Sequence, residues 1–151
     1  MFADLAQPVW HSPATVFAQL SGRWSLTRAL STGASITGEA TFMPRKDGAL
    51  AYREAGKLRL PGGQTFDAER RYLYRAAEDG FSVFFAEQPE QLFHRIALHE
   101  TDGALHGHAH HPCRDDAYIS TYEFHRDGSF TLIHDVSGPA KNYRSQTVFR
   151  R

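Results

Sequence analysis

Four Asp-Gly pairs, Asp47-Gly48, Asp79-Gly80, Asp102-Gly103 and Asp127-Gly128, punctuate the chain, and each separates two stretches in which apolar and polar residues alternate. Asp-Gly is a strong short-range hairpin signal, because glycine accepts the left-handed backbone that a tight reversal between twisted strands requires. Ser31-Thr32-Gly33 and Pro61-Gly62-Gly63 fall between alternating runs of the same kind. The runs cover 24–30, 36–43, 50–60, 66–74, 81–86, 93–98, 105–113, 118–125, 130–136 and 143–150. Ten short strands joined by tight turns make a meander, and a sheet that long either curls shut or leaves an edge open to other chains. The expected fold is all-β, an antiparallel up-and-down barrel of about ten strands, with a two-sheet sandwich as the alternative. One short helix is expected ahead of it over 12–20, with Ser12 as N-cap, Pro13 in the first turn, and Val16, Phe17 and Leu20 at helical spacing.

At 151 residues the chain has the size of one domain, so 1–151 is read as a single barrel. Lysine plus arginine total 17, as do aspartate plus glutamate, which leaves no net field to attract nucleic acid or an anionic membrane. Cys113 is the lone cysteine, so no internal disulfide forms and a reducing compartment fits. The early acid Asp4 and the lack of a long apolar run near the N-terminus argue against a signal peptide. Nothing reaches the roughly 18 apolar residues of a membrane span, and the expected location is the cytoplasm.

Every second residue of a strand shares a face, so the richer apolar face marks the interior. That face reads Trp24, Leu26, Arg28, Leu30 in the first run and Ile36, Gly38, Ala40, Phe42 in the second. The third gives Leu50, Tyr52, Glu54, Gly56, Leu58, and the fourth Phe66, Ala68, Arg70, Tyr72, Tyr74. The last three give Tyr118, Ser120, Tyr122, Phe124, then Phe130, Leu132, His134, Val136, then Tyr143, Ser145, Thr147, Phe149. Arginine, glutamate and histidine on an inner face need partners, since an unpaired buried charge costs several kcal/mol. Arg28, Glu54 and Arg70 therefore either satisfy one another or lie at a wet barrel mouth, or they orient the polar end of a bound small molecule.

Nine histidines call for sorting. His106, His108 and His110 share one strand face at about 7 Å spacing, which suits a solvated exterior better than one metal ion. The opposite face turns His111 and Cys113 inward, alongside His134 and also His94. These offer three alternatives: a hydrogen-bonded interior, a metal site from His94, His111 and His134 with Cys113 or Glu54, or a thiolate at Cys113 activated by a neighbouring imidazole. Asp116 is expected to accept from backbone donors at its turn. Lys141, beside Tyr143 after the rigid Gly138-Pro139 turn, is either solvated or reaches over the pocket mouth toward an anion.

Gly22-Arg23-Trp24, with Arg150 near the chain's end, resembles the Gly-x-Trp signature of the calycins, the lipocalins and fatty-acid-binding proteins, and the arginine that packs across its tryptophan. The chain also resembles a small bacterial family of lipocalin-like domains with no established activity. That resemblance rests on Trp24-x-x-x-Arg28, Gly38-x-Ala40-x-Phe42, Tyr52-x-Glu54-x-Gly56, Arg71-Tyr72, Phe85, Phe93-His94, His111-x-Cys113-x-x-Asp116-x-Tyr118 and Gly138-Pro139-x-Lys141-x-Tyr143. The calycin resemblance implies that the short leading helix caps one end of the barrel. The lack of disulfides departs from secreted lipocalins.

The expected function is binding of a small hydrophobic or amphipathic molecule, with Arg28, Glu54, Arg70, Tyr72, His94, His111, Cys113, Tyr118, Tyr122, His134, Lys141 and Tyr143 as candidate contacts. Two alternatives stand beside it. One is an isomerase, cyclase or lyase in which His111 or His134 is the base and Tyr118 or Tyr122 the donor; the other is a haem or metal protein ligated by His94, His111 or His134. No cofactor is specified, and association into a homodimer is left open.

Overall fold

A computed structural model describes residues 9–151, apart from the side chain of Cys113. Eleven antiparallel strands follow one short helix, α1 (Val16–Leu20): β1 (Gly22–Leu30), β2 (Ser35–Pro44), β3 (Leu50–Arg59), β4 (Thr65–Ala77), β5 (Gly80–Phe85), β6 (Leu92–Ala97), β7 (His99–Thr101), β8 (Ala104–Cys113), β9 (Asp116–Phe124), β10 (Phe130–Ser137) and β11 (Tyr143–Arg150). They form one sheet in the order β6-β5-β4-β3-β2-β1-β11-β10-β9-β8-β7, an up-and-down barrel that is nearly closed. The sandwich is excluded by this continuity, since the first strand pairs with the last along Ser25↔Arg150 to Leu30↔Ser145.

The turns explain the meander. At Leu30/Ala34, Arg45/Ala49, Leu60/Gln64 and His125/Ser129 the same three-residue reversal recurs, closed by paired backbone hydrogen bonds, with a left-handed glycine as its third residue. Thr101-Asp102-Gly103-Ala104 is tighter: Asp102 and Gly103 both take positive φ, 53° and 81°, as a two-residue primed turn requires. This turn creates β7, the strand that alternation alone does not reveal because only three residues pair there.

The ladder ends at β6 on one side and at the three-residue β7 on the other, and past β7 it is β8 that faces β6. No backbone pairing joins these two strands among the described residues, yet they touch. At Gly107 an added Cβ would stand 2.4 Å from the Ala97 carbonyl oxygen, so only glycine permits this approach. The aromatic pair Phe93–His111, with centroids 5.3 Å apart, lies across the same line.

The end of the barrel under α1 is packed solid. Val16 and Leu20 are fully buried against Trp10, Trp24, Phe124 and Phe130 in a continuous apolar cluster. Trp10 stacks on Trp24 at 5.9 Å, and Trp24 donates its Nε1–H to the Leu20 carbonyl at 2.9 Å. Helix α1 is shorter than the 12–20 expected. The Thr15 hydroxyl donates to the Ser12 carbonyl at 3.0 Å, so Ser12 closes a separate turn and caps nothing.

The arginine over Trp24 is Arg151, with its guanidinium carbon 4.0 Å from the ring centroid. Arg150 points outward to Asp127 at 4.0 Å. Strand parity explains the difference: Phe149 faces in and Arg150 out, so Arg151 returns to the side of Trp24 and lies over its ring while remaining exposed. Gly22, at φ +119°, leaves the space, since a Cβ there would come within 3.0 Å of Arg151 Nη1. The outer wall carries ion pairs, among them Arg53–Glu69 and Arg71–Glu69 at 2.8 Å and Arg144–Asp135 at 3.2 Å. No helix of the described residues is long and apolar enough to cross a membrane.

Arg151 also donates from Nη1 to the Ser21 carbonyl at 3.3 Å and from Nη2 to the Gln19 carbonyl, so its replacement by alanine removes both the cation–π contact and this cap at the end of α1 and is expected to lower unfolding stability by about 1–2 kcal/mol. Arg150→Ala, which breaks one exposed pair, stays within about 0.5 kcal/mol of the parent. Urea titrations of the two variants compare them directly, and equal effects would contradict the assignment.

Candidate functional site

The interior changes character along the barrel axis. Above the packed end lies a polar layer built on Arg28 of β1 and Glu54 of β3, which are 3% and 5% exposed. Arg28 Nη1 and Nη2 donate to the two Glu54 oxygens at 2.8 and 2.9 Å, and its Nε donates to Thr147 Oγ1 at 2.6 Å. Tyr52 adds its hydroxyl to Glu54 Oε1 at 2.5 Å. Burial opposes both charges, but the fork between them outweighs it: Arg28 is held above its ordinary pKa and Glu54 below the ordinary carboxylate value. The pair is therefore ionised and self-satisfied.

Arg70 does not join this pair. It stands opposite Glu54 in the β3–β4 register, yet Glu54 is fully engaged with Arg28 and Tyr52. Arg70 is exposed and forms no ion pair among the described residues. The cause is local: from Thr65 to Arg71 nearly every residue of β4 is exposed whichever face it lies on, so this end of the strand runs past the cover of the barrel. Phe66, also expected inside, is 50% exposed for the same reason.

Next to the polar layer is a cavity of about 200 Å³. Arg28, His134 and Ser145 are its buried polar lining, Leu30, Ile36, Phe85 and Phe93 its apolar walls, and Arg70, Tyr72, His111, Tyr118 and Tyr143 complete it. Of the twelve candidates, seven line this space: Arg28, Arg70, Tyr72, His111, Tyr118, His134 and Tyr143. Glu54, His94 and Tyr122 are buried but do not line it. Lys141 is exposed and donates to the Tyr118 hydroxyl at 3.1 Å, which raises its pKa. Cys113 ends β8, and its side chain lies outside the described residues.

Phe85 and Phe93 escape a strict alternation reading. The β5–β6 register shifts between Val83↔His94 and Phe84↔Leu92, leaving Phe93 as the extra residue of a bulge. Phe93 and His94 are consecutive, yet both are buried. Phe93 then stacks near-parallel with Tyr72 at 5.7 Å, Phe85 at 5.0 Å and His134 at 5.9 Å. A run of Phe81, Val83 and Phe85 at period two is the available signal for Phe85; nothing in the sequence marks the bulge.

His134 and His94 are held neutral. Burial pushes His134 down to about 4, and the nearby charges of Arg70 and Arg28 push the same way. Its Nδ1 pairs with Ser120 Oγ at 2.8 Å, fixing the ring while the residue faces the cavity. His94 is pushed down to about 3 by burial, with His134 and His111 adding to it. Its Nε2 meets the Tyr122 hydroxyl at 3.1 Å, Tyr122 meets Tyr74 at 3.1 Å, and its Nδ1 has no partner. Asp116 departs from expectation too: its Oδ1 is buried without a donor, close against Gly138.

The metal and haem alternatives find little here. No group of three histidine, cysteine, aspartate or glutamate side chains that could hold a metal occurs among the described residues. A cavity of about 200 Å³ lies below the roughly 300 Å³ at which pockets for drug-sized ligands begin. His106, His108 and His110 are on the outer wall, where His106 Nε2 pairs with Thr101 Oγ1 at 2.9 Å.

Fold and site together define an antiparallel barrel with a partly enclosed, aromatic and cationic hollow. Residues 20–151 match the family described as "Family of unknown function (DUF6314)", and the chain belongs to it. No curated protein matches the chain. Among solved structures it is similar to a redesigned β-barrel, mFAP1, bound to DFHBI, at 17% identity over 93% of this chain and 100% of that one, with a TM-score of 0.45. It is also similar to a de novo designed fluorescence-activating β-barrel, at 16% identity over 90% and 96% of the two chains, with a TM-score of 0.45.

Two outcomes follow from these charges. Between pH about 6.5 and the depressed native values, the unfolded chain binds protons that native His94 and His134 refuse, so stability falls as pH falls through that window. The loss reaches about 1.4 kcal/mol per pH unit for each ring, and Glu54 adds to it below the ordinary carboxylate range. Urea midpoints of His94→Gln and His134→Gln should each depend less on pH than the parent's; an unchanged slope in both would place the effect elsewhere. Separately, Glu54→Ala strands the buried Arg28 charge and is expected to cost about 3–5 kcal/mol, while Arg28→Met with Glu54→Leu costs much less.

Proposed function

We propose that this protein is a binding barrel for a small molecule, which it holds in the cavity bounded by Arg28, Tyr72, Phe93 and His134. The observation that carries this reading is the coexistence of buried polar groups with empty space. A barrel interior whose only task is stability fills with side chains, and this one does so at the α1 end. At the other end, Ser145 and His134 are buried yet face a hollow. Space is retained there at the expense of packing contacts, which favours an occupant.

The roles divide by chemistry. Phe85, Phe93 and Tyr72 offer apolar faces, Arg28 and His134 fix a polar end, and Tyr118, Tyr143 and Arg70 lie toward the mouth. Glu54, His94 and Tyr122 support from beneath, and Lys141 orders Tyr118. His134, pushed down to about 4, is a weak base at neutral pH, which disfavours it as a catalytic base. The clasp of Trp24 by Arg151 beside Gly22 supports kinship with the calycins, and the charged outer wall suits an aqueous compartment, which we take to be the cytoplasm.

Native mass spectrometry of gently purified protein tests the reading. The parent is expected to carry a stoichiometric small-molecule adduct, and Ile36→Trp, which fills the cavity from β2, is expected to lose it while remaining folded. A parent that is always empty, or an adduct retained in full by Ile36→Trp, would count against a ligand at this place.

A further inference from the structure

The balance of donors and acceptors around the cavity narrows what it can hold. Among the described residues the carboxylate at its floor is Glu54, and its hydrogen bonds all go to Arg28 and Tyr52. Arg28 spends one N–H of each terminal nitrogen on Glu54, and each terminal nitrogen keeps another. Arg70 adds a full positive charge with no counter-ion among the described residues. Tyr118 already accepts from Lys141, so its own proton remains to be donated. Among the described residues the lining is rich in donors, carries one cation without an ion-pair partner, and includes no carboxylate.

Size and shape narrow it again. A cavity of about 150 Å³ lined by apolar side chains is known to take a benzene ring, so about 200 Å³ accommodates one ring with one small substituent. A second fused ring or a long alkyl chain would have to extend out through the mouth. Phe85, Phe93 and Tyr72, mutually tilted by 50° or less, present aromatic faces suited to a planar guest.

Resting on the binding reading above, we propose that the ligand class is a monocyclic aromatic acid bound as its anion, with the acid group held at Arg70 and the ring among Phe85, Phe93 and Tyr72. After burial, Arg70, ahead of Arg28 and against Glu54, pushes the His134 ring toward its neutral form, as a cation at this cavity should.

Sodium benzoate and benzyl alcohol serve as probes, one anionic and one neutral, each of a single ring. Titrations followed by protein NMR are expected to show both perturbing Phe93 and His134, with benzoate the tighter. Arg70→Gln is expected to weaken benzoate at least tenfold and leave benzyl alcohol unchanged. The control Arg71→Gln, whose parent side chain pairs with Glu69 on the outer wall, should alter neither. Bound benzoate, unlike benzyl alcohol, should also raise the pH at which the His134 ring titrates. If the two probes bind equally, or Arg70→Gln leaves benzoate untouched, the anion assignment is wrong and the small-molecule reading survives. If neither probe perturbs the cavity at millimolar concentration, both fall.

Discussion

The buried fork between Arg28 and Glu54 organises the interior. Two opposite charges out of water require each other's full coordination, and removing either leaves the other at high cost. Satisfying them takes Thr147 from β11 and Tyr52 from β3, so the fork ties three walls of the barrel across its middle. Below it, packing is aromatic and dense. Above it, the walls stay apart. The position of the fork thereby sets the depth of the hollow, and its neutrality overall leaves Arg70 to define the electrostatics of the mouth.

A buried ion pair is a weak source of stability compared with well-packed hydrophobic residues. Its presence here is better understood as positional. An apolar replacement would extend the core upward and shorten the cavity, whereas a bidentate guanidinium presents a flat polar floor with N–H groups to spare. The histidines follow from this floor: with two arginines nearby and little water, an imidazolium is disfavoured, so His134 stays uncharged.

Much of this is readable from the chain. The reversal glycines and the period-two runs place β1 to β4 and β8 to β11, and parity correctly turns Arg28, Glu54, His111, Tyr118, His134 and Tyr143 off the outer face. Three things are not readable, each for a definable reason. The bulge at Phe93 breaks the two-residue period, so consecutive residues face inward together. Arg70 keeps the right parity but sits where β4 outruns its cover, and alternation says nothing about where a wall ends. The pairing of Glu54 with Arg28 rather than its direct neighbour Arg70 depends on side-chain reach across strands, which register does not fix. Arg151 over Trp24 is available from parity alone, once the alternation is carried past Phe149 to the end of the chain.

The junction between β6 and β8 sets how this wall responds to force. Everywhere else around the barrel, separating two strands means breaking a ladder of backbone hydrogen bonds. Along this line the contact is made by Gly107 against the Ala97 backbone and by the edge of Phe93 on His111. The facing edges of β6 and β8 cover one another without continuous bonding, while the three residues of β7, the last strand of the sheet, stay exposed. Its compliance is correspondingly uneven: the barrel is stiff around most of its girth and soft along one stave, the stave that borders the hollow.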